Sequence, residues 1–544
     1  MRTHSSRAKR VLLLLLCLAL LLPFSSLAAT KKTASPSRIR VLLQRLNLKE
    51  EAWMTLEGRY LARGADGTEL LLPAGARITV FLRKNQLVLF HEGLSFSAGK
   101  ELTLLRRQDG DTEPGIRFNL FSGRYPGDLS LTVRDGAIRP ILTLPLESYL
   151  QGVVPYEMSD SFPLEALKVQ AVCARTYALS KISSSAEWDV VDNTNDQVFR
   201  GIPDKSENTA RAVEETEGLV LTCGGRLITA WYSASNGGQT ELPGNIWGGD
   251  NIPECFAMTD DPWDLNNPDS TTRTAVLGKD GSGLSAGFLR LLREALSGEP
   301  ELKAQGLTEK ETFRVDAVRS VELTTPRYAK PSRLMTKMLI TVGIAGTDYP
   351  VTLDLFPDAV FMLGLSVYGA NNEIITVTED EDSFTLTSGR YGHGVGMSQR
   401  GAQYQASEGK KTFKQILNFY YPGAKLKRYE GEPAPLPTAD PALAETPGPI
   451  PTATPRPTLM PVTEALPEGA WLGLVANIDE DSTVNLREKP SAGAKVVRRL
   501  YWHQPLAVLE EAEVTGWYRV KTDVLEGYIM ASFVQPAEQE QKQK

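Results

Sequence analysis

Short apolar runs alternate with turn signals from residue 38 to about residue 145. The runs at 78–82, 86–90 and 129–133 have the length and residue types of strands. Asp-Gly pairs between such runs mark turns. The pattern predicts a mostly β lobe over residues 38–145. Further strands are predicted at residues 219–221, 228–232, 351–365 and 374–378.

The pattern changes at Pro163, after which apolar residues cover most of the circumference of a predicted helix over residues 163–179. Pro163 suits the first helical position, and Glu165 suits the first turn, where the helix dipole favours an acid. A helix that is apolar on all sides is predicted to be buried. The polar residues that interrupt it are Lys168, Gln170, Arg175 and Tyr177.

Buried polar side chains need partners, and two interpretations of these four residues are open. In the first, they make structural hydrogen bonds inside an ordinary core helix. In the second, they line a site whose chemistry comes from Glu157, on the turn just before the helix.

A glycine-rich stretch at residues 389–402 is the second motif. It reads Gly-Arg-Tyr-Gly-His-Gly-Val-Gly-Met-Ser-Gln-Arg-Gly-Ala and holds His393, one of four histidines in the chain. Closely spaced glycines indicate a tight turn or a close approach of the backbone to a ligand. His393, Ser398 and Gln399 are therefore candidate ligand contacts, although a single histidine is more often structural.

Three segments together resemble the stage II sporulation protein D family (SpoIID/LytB). They are Glu157-Met158, the run Pro-Leu-Glu-Ala-Leu-Lys-x-Gln-Ala-Val-x-Ala-Arg-Thr-Tyr-Ala from residue 163, and Gly-His-Gly-Val-Gly-Met-Ser-Gln from residue 392. The resemblance covers about residues 38–428. It implies an α+β, strand-rich catalytic region with a buried active-site helix, made of an N-terminal lobe (38–145) and a catalytic core (146–428).

The resemblance also implies a function. Sporulation members of this family are lytic transglycosylases that cleave peptidoglycan glycan strands from which stem peptides have been removed. Other members are described as enhancers of cell-wall amidases. A segment at residues 196–201, which contains Gln197, is similar to the family as well.

Glu157 matches the family's catalytic glutamate, which is implied to act as both general acid and general base. Ordinary glycosidases use two carboxylates. Here the substrate's own C6 hydroxyl closes on C1 and leaves a 1,6-anhydro end, so one carboxyl group suffices. Desolvation beside an apolar helix raises a carboxyl pKa, as an acid working at neutral pH requires. No cofactor is expected. The candidate substrate-binding residues are Lys168, Gln170, Arg175, Tyr177, Gln197, Asn236, Gln239, His393, Ser398 and Gln399.

The loop at residues 233–241 departs from the family pattern. Some members carry His, Cys and His, with which zinc is associated, where this chain has Ser233, Asn236 and Gln239. Hydroxyl and neutral amide groups are poor zinc ligands, so no metal site is predicted. These groups suit a hydroxyl-rich ligand, and a polar turn fixed by its glycines is an equal alternative. Residues 260–264 are likewise interpreted as a sugar-binding loop or a capped turn.

Three cysteines follow the N-terminal segment, so at least one of them has no partner within the chain. Cys173 lies on the predicted buried helix and is interpreted as a small core residue. Whether Cys223 and Cys255 pair depends on their distance in the fold, which the sequence does not show.

The two ends of the chain indicate an exported, wall-directed protein. Basic residues precede an apolar run and small residues follow it, so residues 1–29 are predicted to be a cleaved signal peptide, with an uncleaved membrane anchor as the alternative. Residues 429–469 are rich in Pro, Ala and Thr and are predicted to be an extended linker. Residues 470–537 resemble a bacterial SH3-type domain, a small all-β barrel of a kind that often binds the cell wall. Its Trp502, Trp517 and Tyr518 either stack on a ligand or belong to its core.

Two functions stay open on this evidence. The net charge of −7 over 544 residues argues against a nucleic-acid binder. The expected partner is the peptidoglycan glycan strand, which the protein either cleaves or only binds while it enhances a cell-wall amidase. Both functions place the protein outside the cell or in the wall. The presence of Glu157 favours the enzyme.

Overall fold

The structure is a computed structural model. The predicted signal peptide, the predicted linker apart from its two end residues, and Trp502 lie outside the residues that it describes. In the described part of the chain, no helix is long and apolar enough to cross a membrane. The described residues are 38–107, 113–119, 121–249, 254–429, 469–477, 483–491, 493–501, 505–522 and 526–536.

Two antiparallel sheets form the predicted β lobe and share one apolar core. Buried and less buried residues alternate along strands such as β2, as the period of a strand requires. The strand orders are β13-β1-β12-β11-β8-β3-β4 and β10-β9-β2-β5-β6-β7. The strands are β1 (Arg38–Leu42), β2 (Glu51–Glu57), β3 (Arg59–Gly64), β4 (Glu69–Leu72), β5 (Arg77–Arg83), β6 (Gln86–His91), β7 (Leu94–Gly99), β8 (Glu101–Arg107), β9 (Gly115–Phe118), β10 (Arg124–Tyr125), β11 (Asp128–Arg134), β12 (Ala137–Pro145) and β13 (Val190–Val191).

The helices that follow β12 lead to the long helix α3. They are α1 (Leu146–Gln151), α2 (Val154–Glu157), α3 (Leu164–Lys181) and α4 (Glu207–Glu215). From Ala166 to Leu179 every residue of α3 except Lys168 is buried, which confirms the predicted helix and its burial. Pro163 has an extended backbone and caps α3, so the helix begins one residue later than predicted.

The chain then forms β14 (Leu219–Cys223), β15 (Arg226–Leu227), β16 (Tyr232–Ser233), α5 (Pro243–Trp247) and α6 (Pro262–Leu265). The strand predicted over residues 228–232 is wrong for most of its length, because only its last residue belongs to β16. The carbonyl oxygen of Thr229 accepts a hydrogen bond from the backbone N–H of Trp231, so the chain turns there.

Residues 273–389 form what we call the inserted lobe, a unit with its own apolar core that the sequence pattern did not reveal. Its sheets run β17-β22-β21 and β18-β19-β20. The strand predicted over 351–365 is wrong beyond Asp354, because a helical turn at Leu355–Ala359 follows that residue. Pro357 lies within this turn and lacks the backbone N–H that a strand needs to pair with its neighbour. The elements are β17 (Arg273–Gly278), α7 (Ala286–Leu296), α8 (Pro300–Ala304), β18 (Ala317–Pro326), β19 (Met335–Ile344), β20 (Thr347–Asp354), α9 (Val360–Met362), β21 (Ile374–Glu379) and β22 (Ser383–Gly389).

After the inserted lobe the chain returns to α3. It forms β23 (Met397–Ser398), α10 (Gln399–Ser407), α11 (Phe413–Tyr420) and β24 (Lys425–Arg428). β23 pairs in parallel with β16, and β24 pairs with β14. These pairings bring the glycine-rich stretch beside the loop that follows β16.

The C-terminal region is one seven-stranded sheet, with the order β27-β26-β30-β29-β28-β25-β31 and a separate apolar core. Trp517 is buried, and Tyr518 makes an edge contact with Trp471. The strands are β25 (Trp471–Val475), β26 (Thr483–Arg487), β27 (Val496–Tyr501), β28 (Pro505–Glu511), β29 (Trp517–Lys521), β30 (Glu526–Met530) and β31 (Val534–Pro536).

Candidate active site

Glu157 ends α2, because the next residue, Met158, has an extended backbone. The backbone N–H of Val198 donates to Oε1 at 2.9 Å, and the amide of Gln399 donates to Oε2 at 3.5 Å. The hydroxyl of Tyr232 bonds the same carboxyl group. Glu157 as a residue keeps part of its surface exposed, while its carboxyl group is largely buried and is held from three separate segments.

Burial raises the pKa of the Glu157 carboxyl group above its ordinary value. The hydrogen bonds from Val198, Gln399 and Tyr232 act in the opposite direction and are the smaller influence. No second carboxyl group of the described chain contributes to this balance. A single carboxyl group with a raised pKa can give a proton and take one back near neutral pH.

Tyr232 is the site residue that sequence reasoning missed. The amide nitrogen of Gln197 donates to the Tyr232 hydroxyl at 3.0 Å, and the amide oxygen of Gln197 accepts from Tyr149 at 3.2 Å. Burial raises the pKa of both phenols well above the ordinary value, so both stay neutral donors. Gln197 therefore supports Glu157 through Tyr232. The only sequence signal for Tyr232 was its position directly before the polar loop at 233–241.

Gln170 and Gln399 form an amide pair next to Glu157. Nε2 of Gln399 donates to Oε1 of Gln170 at 3.2 Å, which orients the same nitrogen toward Glu157. Gln170 is fully buried on α3, and its own Nε2 has no hydrogen-bond partner among the residues that the structure describes. A buried donor without a partner costs about 1–3 kcal/mol, so this amide is available to a ligand or an ordered water.

The other polar residues of α3 make structural bonds. Lys168 forms ion pairs with Glu165 at 2.7 Å and with Glu215 at 2.6 Å. Arg175 is fully buried and binds both carboxyl oxygens of Glu147, at 2.7 and 2.6 Å. These contacts match the structural interpretation of the two residues, because each cation is already neutralised by an acid of the chain.

Tyr177 also has a partner within the protein. Its hydroxyl donates to Asp196 at 2.8 Å, and Asp196 in turn accepts from the backbone of Val191. Lys181 lies 5.0 Å from the Tyr177 ring centroid. The structure therefore places Tyr177 on α3 at the Asp196 turn, one residue from Gln197.

The glycine-rich stretch crosses the loop after β16 at close range. Gly392, Gly394 and Gly396 all have positive φ, and a Cβ on Gly396 would lie 2.2 Å from the carbonyl oxygen of Trp231. The positive φ values fit the predicted tight turn, whereas the close approach of two backbones at Gly396 was not among the predicted reasons.

His393 lies between these glycines. Its Nδ1 accepts from the backbone of Val395 at 3.0 Å, and its ring makes an edge contact with Trp247 at 5.1 Å. Burial, together with the nearby Arg390 guanidinium, lowers the pKa of His393 to about 4. The imidazole is therefore neutral at physiological pH, and it contacts the backbone of Tyr232.

Ser398 bonds the carboxyl group of Asp264 at 2.7 Å and also caps α10 by accepting from Gly401. Asp264 accepts in addition from Ser235 and from the backbone of Gly237. The buried Asp264 therefore joins the two polar loops. Ser398 lies beside Gln399 in sequence, but its hydroxyl points to this internal acid.

Asn236 and Gln239 are buried with partners of their own. Asn236 donates to Asp261 at 2.8 Å, while Gln239 donates to Asp260 and accepts from the backbone of Arg333. Asp261 also accepts from the backbone of Asp264 at the start of α6. These contacts match the polar turn and the capped turn rather than sugar-binding loops. Within the described residues, no group of three or more His, Cys, Asp or Glu side chains is placed to hold a metal ion.

A buried ion pair that the sequence did not suggest joins the glycine-rich stretch to the loop after β16. Arg390 and Glu241 are 3.6 Å apart and almost fully buried. Arg390 has a φ of 99° and donates to the carbonyl oxygens of Asn236 and Gln239. Arg390 therefore holds the loop after β16 in place through these bonds.

The three cysteines in the described part of the chain, Cys173, Cys223 and Cys255, are free. Cys173 lies on α3, as the core interpretation required, and its thiol contacts the Tyr421 hydroxyl at 3.6 Å. The thiols of Cys223 and Cys255 are in contact with each other, and burial raises the pKa of Cys255 to about 12.

Two stretches of the chain match known families. Residues 134–223 match the family described as "Stage II sporulation protein" (SpoIID), and residues 482–535 match "Bacterial SH3 domain". The first match includes Glu157 and the whole of α3. The chain therefore carries a SpoIID-family domain and, at its C-terminal end, a bacterial SH3 domain, as its motifs predicted.

Individual relatives agree with this assignment. The "Amidase enhancer" of Bacillus subtilis (strain 168) is 35% identical over 298 residues, which are 52% of this chain and 40% of that protein. "Stage II sporulation protein D" of the same organism is 28% identical over 318 residues, 55% of this chain and 79% of that protein. An uncharacterized protein of Brachyspira hyodysenteriae is 28% identical over 413 residues, 73% of this chain and 94% of that protein. The match to the amidase enhancer thus spans less than half of its length.

Proposed function

We propose that this protein is a lytic transglycosylase that cleaves the bond between N-acetylmuramic acid and N-acetylglucosamine in peptide-stripped peptidoglycan strands. The observation that carries the proposal is the environment of Glu157. Its carboxyl group is largely buried on a residue that keeps part of its surface exposed, burial raises its pKa, and three donors from different segments hold it. The SpoIID-family domain supports a role at the cell wall.

In the proposed reaction, protonated Glu157 gives its proton to the bridging oxygen, and the bond from that oxygen to C1 breaks. The carboxylate then removes the proton of the C6 hydroxyl, whose oxygen bonds C1 and closes the 1,6-anhydro ring. Glu157 ends the cycle protonated, and no water is consumed. A second carboxylate is not required, which fits the environment described for Glu157.

Four predicted residues keep a place in this site. Gln399 orients the carboxyl group, Gln197 supports it through Tyr232, and Gln170 offers a free amide donor. His393 is neutral and contacts the backbone of Tyr232, so it is proposed to bind the sugar rather than to donate a proton. We place the signal segment and the SH3 domain in the same function, as export and wall attachment.

The test uses the purified protein and glycan strands stripped of stem peptides, with the products read by mass spectrometry. The parent is expected to release 1,6-anhydro ends, and Glu157→Gln is expected to lower the rate by at least about 100-fold. Two control variants, Glu214→Gln on the exposed face of α4 and Glu165→Gln at the start of α3, should retain cleavage. Equal cleavage by Glu157→Gln would overturn the proposal.

The pH dependence sharpens the same test. The general acid must be protonated before it acts, so cleavage should decline as the pH rises through the raised pKa of Glu157. If the cleavage rate instead fell, on raising the pH, already below the pH range in which ordinary carboxyl groups titrate, this role for Glu157 would be contradicted.

The second candidate function is a non-catalytic enhancer of a cell-wall amidase. It is favoured by the relative that bears the name "Amidase enhancer" at 35% identity. In that case neither the parent nor Glu157→Gln cuts the strands, both bind them, and the parent accelerates stem-peptide release by an added amidase.

A further inference from the structure

Exposed aromatic rings gather around the glycine-rich stretch. In the described part of the chain, four aromatic side chains are largely exposed, and three of them lie here. Tyr391 is 40% exposed, Tyr368 57% and Trp247 52%, while the fourth, Phe361, lies elsewhere in the inserted lobe. Single exposed rings are ordinary, but three that come from separate segments to one stretch of the chain mark a place where another molecule binds.

The first pair of rings is Tyr391 and Tyr368, whose centroids are 4.7 Å apart. Tyr391 is held rigidly because its backbone exchanges two hydrogen bonds with Ser235, at 3.0 and 3.2 Å. The segment that carries Tyr368 is tied to the same loop by Asn372, which donates to the carbonyl oxygen of Gly392 at 3.0 Å. These rings therefore lose little freedom when a ligand binds.

The second pair is Trp247 and His393. Trp247 stacks on Trp231 at 4.9 Å, and its edge contact with His393 leaves about half of the side chain in solvent. Trp231 in turn packs against Phe256 in the core. Trp247 thus combines a fixed underside with an exposed surface.

Both pairs are connected to Glu157 through residues 232–235. His393 contacts the backbone of Tyr232, whose hydroxyl bonds Glu157. Tyr391 pairs with Ser235, three residues beyond Tyr232, and three residues of chain span at most about 10 Å. One member of each pair therefore contacts residues 232–235, the segment whose Tyr232 hydroxyl positions the candidate acid.

We propose that the Tyr391–Tyr368 pair and the Trp247–His393 pair are stacking sites for two N-acetylhexosamine rings of the glycan strand, on either side of Gly392. This inference rests on the proposed function, because it takes the glycan as the ligand of this site. A pyranose ring offers a flat face of C–H groups to an aromatic ring, and its hydroxyl and acetamido groups stay at the edge. Amide and hydroxyl groups next to the rings, such as Asn372 and Ser233, suit those edge groups.

Binding is measured apart from cleavage, in the background of Glu157→Gln, with a β-1,4-linked oligomer of N-acetylglucosamine as the probe. Isothermal titration calorimetry gives the Kd. Tyr391→Ala, Tyr368→Ala and Trp247→Ala are each expected to raise the Kd roughly 2- to 10-fold. Tyr368→Phe keeps the ring and should bind like the parent. Phe361→Ala removes an even more exposed ring elsewhere and should also leave the Kd unchanged. Circular dichroism and the Tm confirm that each variant is folded.

The outcomes separate this inference from the proposed function. Unchanged Kd values in all three alanine variants, with cleavage by the parent intact, would overturn the stacking sites and leave the transglycosylase standing. Weaker binding in the alanine variants of a protein that does not cut would keep the sites and reject the enzyme. If an alanine variant fails to fold, Tyr391→Leu or Trp247→Leu replaces it, because leucine fills space without an aromatic ring. A raised Kd in the leucine variant would support the stacking role, and an unchanged Kd would contradict it.

Discussion

Two regions of the molecule bury different kinds of side chain: the region around α3 buries polar groups, and the inserted lobe buries mainly apolar ones. What we call the site region comprises α3 with residues 230–265 and 390–421, and it buries many polar groups that are bonded to one another. In the inserted lobe the buried polar residues are Ser332, Glu373 and Ser388, and apolar side chains fill the core. Buried polar groups tolerate few partners, whereas apolar packing accepts many residues of similar volume. The site region is therefore specified by hydrogen bonds, and the lobe by shape.

The largest expected effect compares two ion pairs. Arg390→Met leaves Glu241 as an unpaired buried charge and should lower the free energy of unfolding by about 3–5 kcal/mol. Arg319 and Asp348 form an exposed pair in the inserted lobe, so Arg319→Met should cost less than about 1 kcal/mol. Urea denaturation measures both values, and equal losses would remove the contrast between the regions.

A smaller effect compares two glycines. An alanine at Gly396 would place Cβ 2.2 Å from the Trp231 carbonyl oxygen, at a φ of 72°. Gly346 in the lobe has a φ of 86° and open space around it. Gly346→Ala should cost only the strain of a positive φ, about 1–2 kcal/mol, and Gly396→Ala about 1–3 kcal/mol more. Thermal unfolding measures the difference, which would be absent if the two loops did not meet.

The smallest effect is a dependence of stability on pH. Burial, with the charge of Asp264 as a lesser cause, raises the pKa of Asp261 to about 6 from an ordinary 3.8. The folded chain keeps this proton where the unfolded chain releases it, so the stabilisation is complete below about pH 4 and is lost as the pH rises through 6.

Between pH 5 and pH 7 this loss amounts to about 1 kcal/mol. Asp261→Asn cannot titrate, and its unfolding free energy should therefore fall about 1 kcal/mol less than that of the parent over this interval. The comparison uses urea denaturation at the two pH values. An identical slope in parent and variant would show that Asp261 is already ionised at pH 5.

Local sequence determined the elements that carry the site. The all-round apolar pattern gave α3 and its burial, because helix period and hydrophobicity are properties of neighbouring residues. The spacing of glycines predicted a tight turn, and Gly392, Gly394 and Gly396 have the positive φ values that such a turn requires. The motifs around Glu157 also indicated the family, which the matched residues confirm.

Only the tertiary structure decided which polar side chains act together. Lys168 and Gln170 are two residues apart on α3, yet Lys168 pairs with Glu215 whereas Gln170 meets Gln399. Tyr232 lies beside one motif and Arg390 within another, but their roles have no local signal because these roles depend on partners far away in the chain. A hydrogen bond requires two groups within about 3 Å, and the sequence of one segment contains no measure of its distance from another.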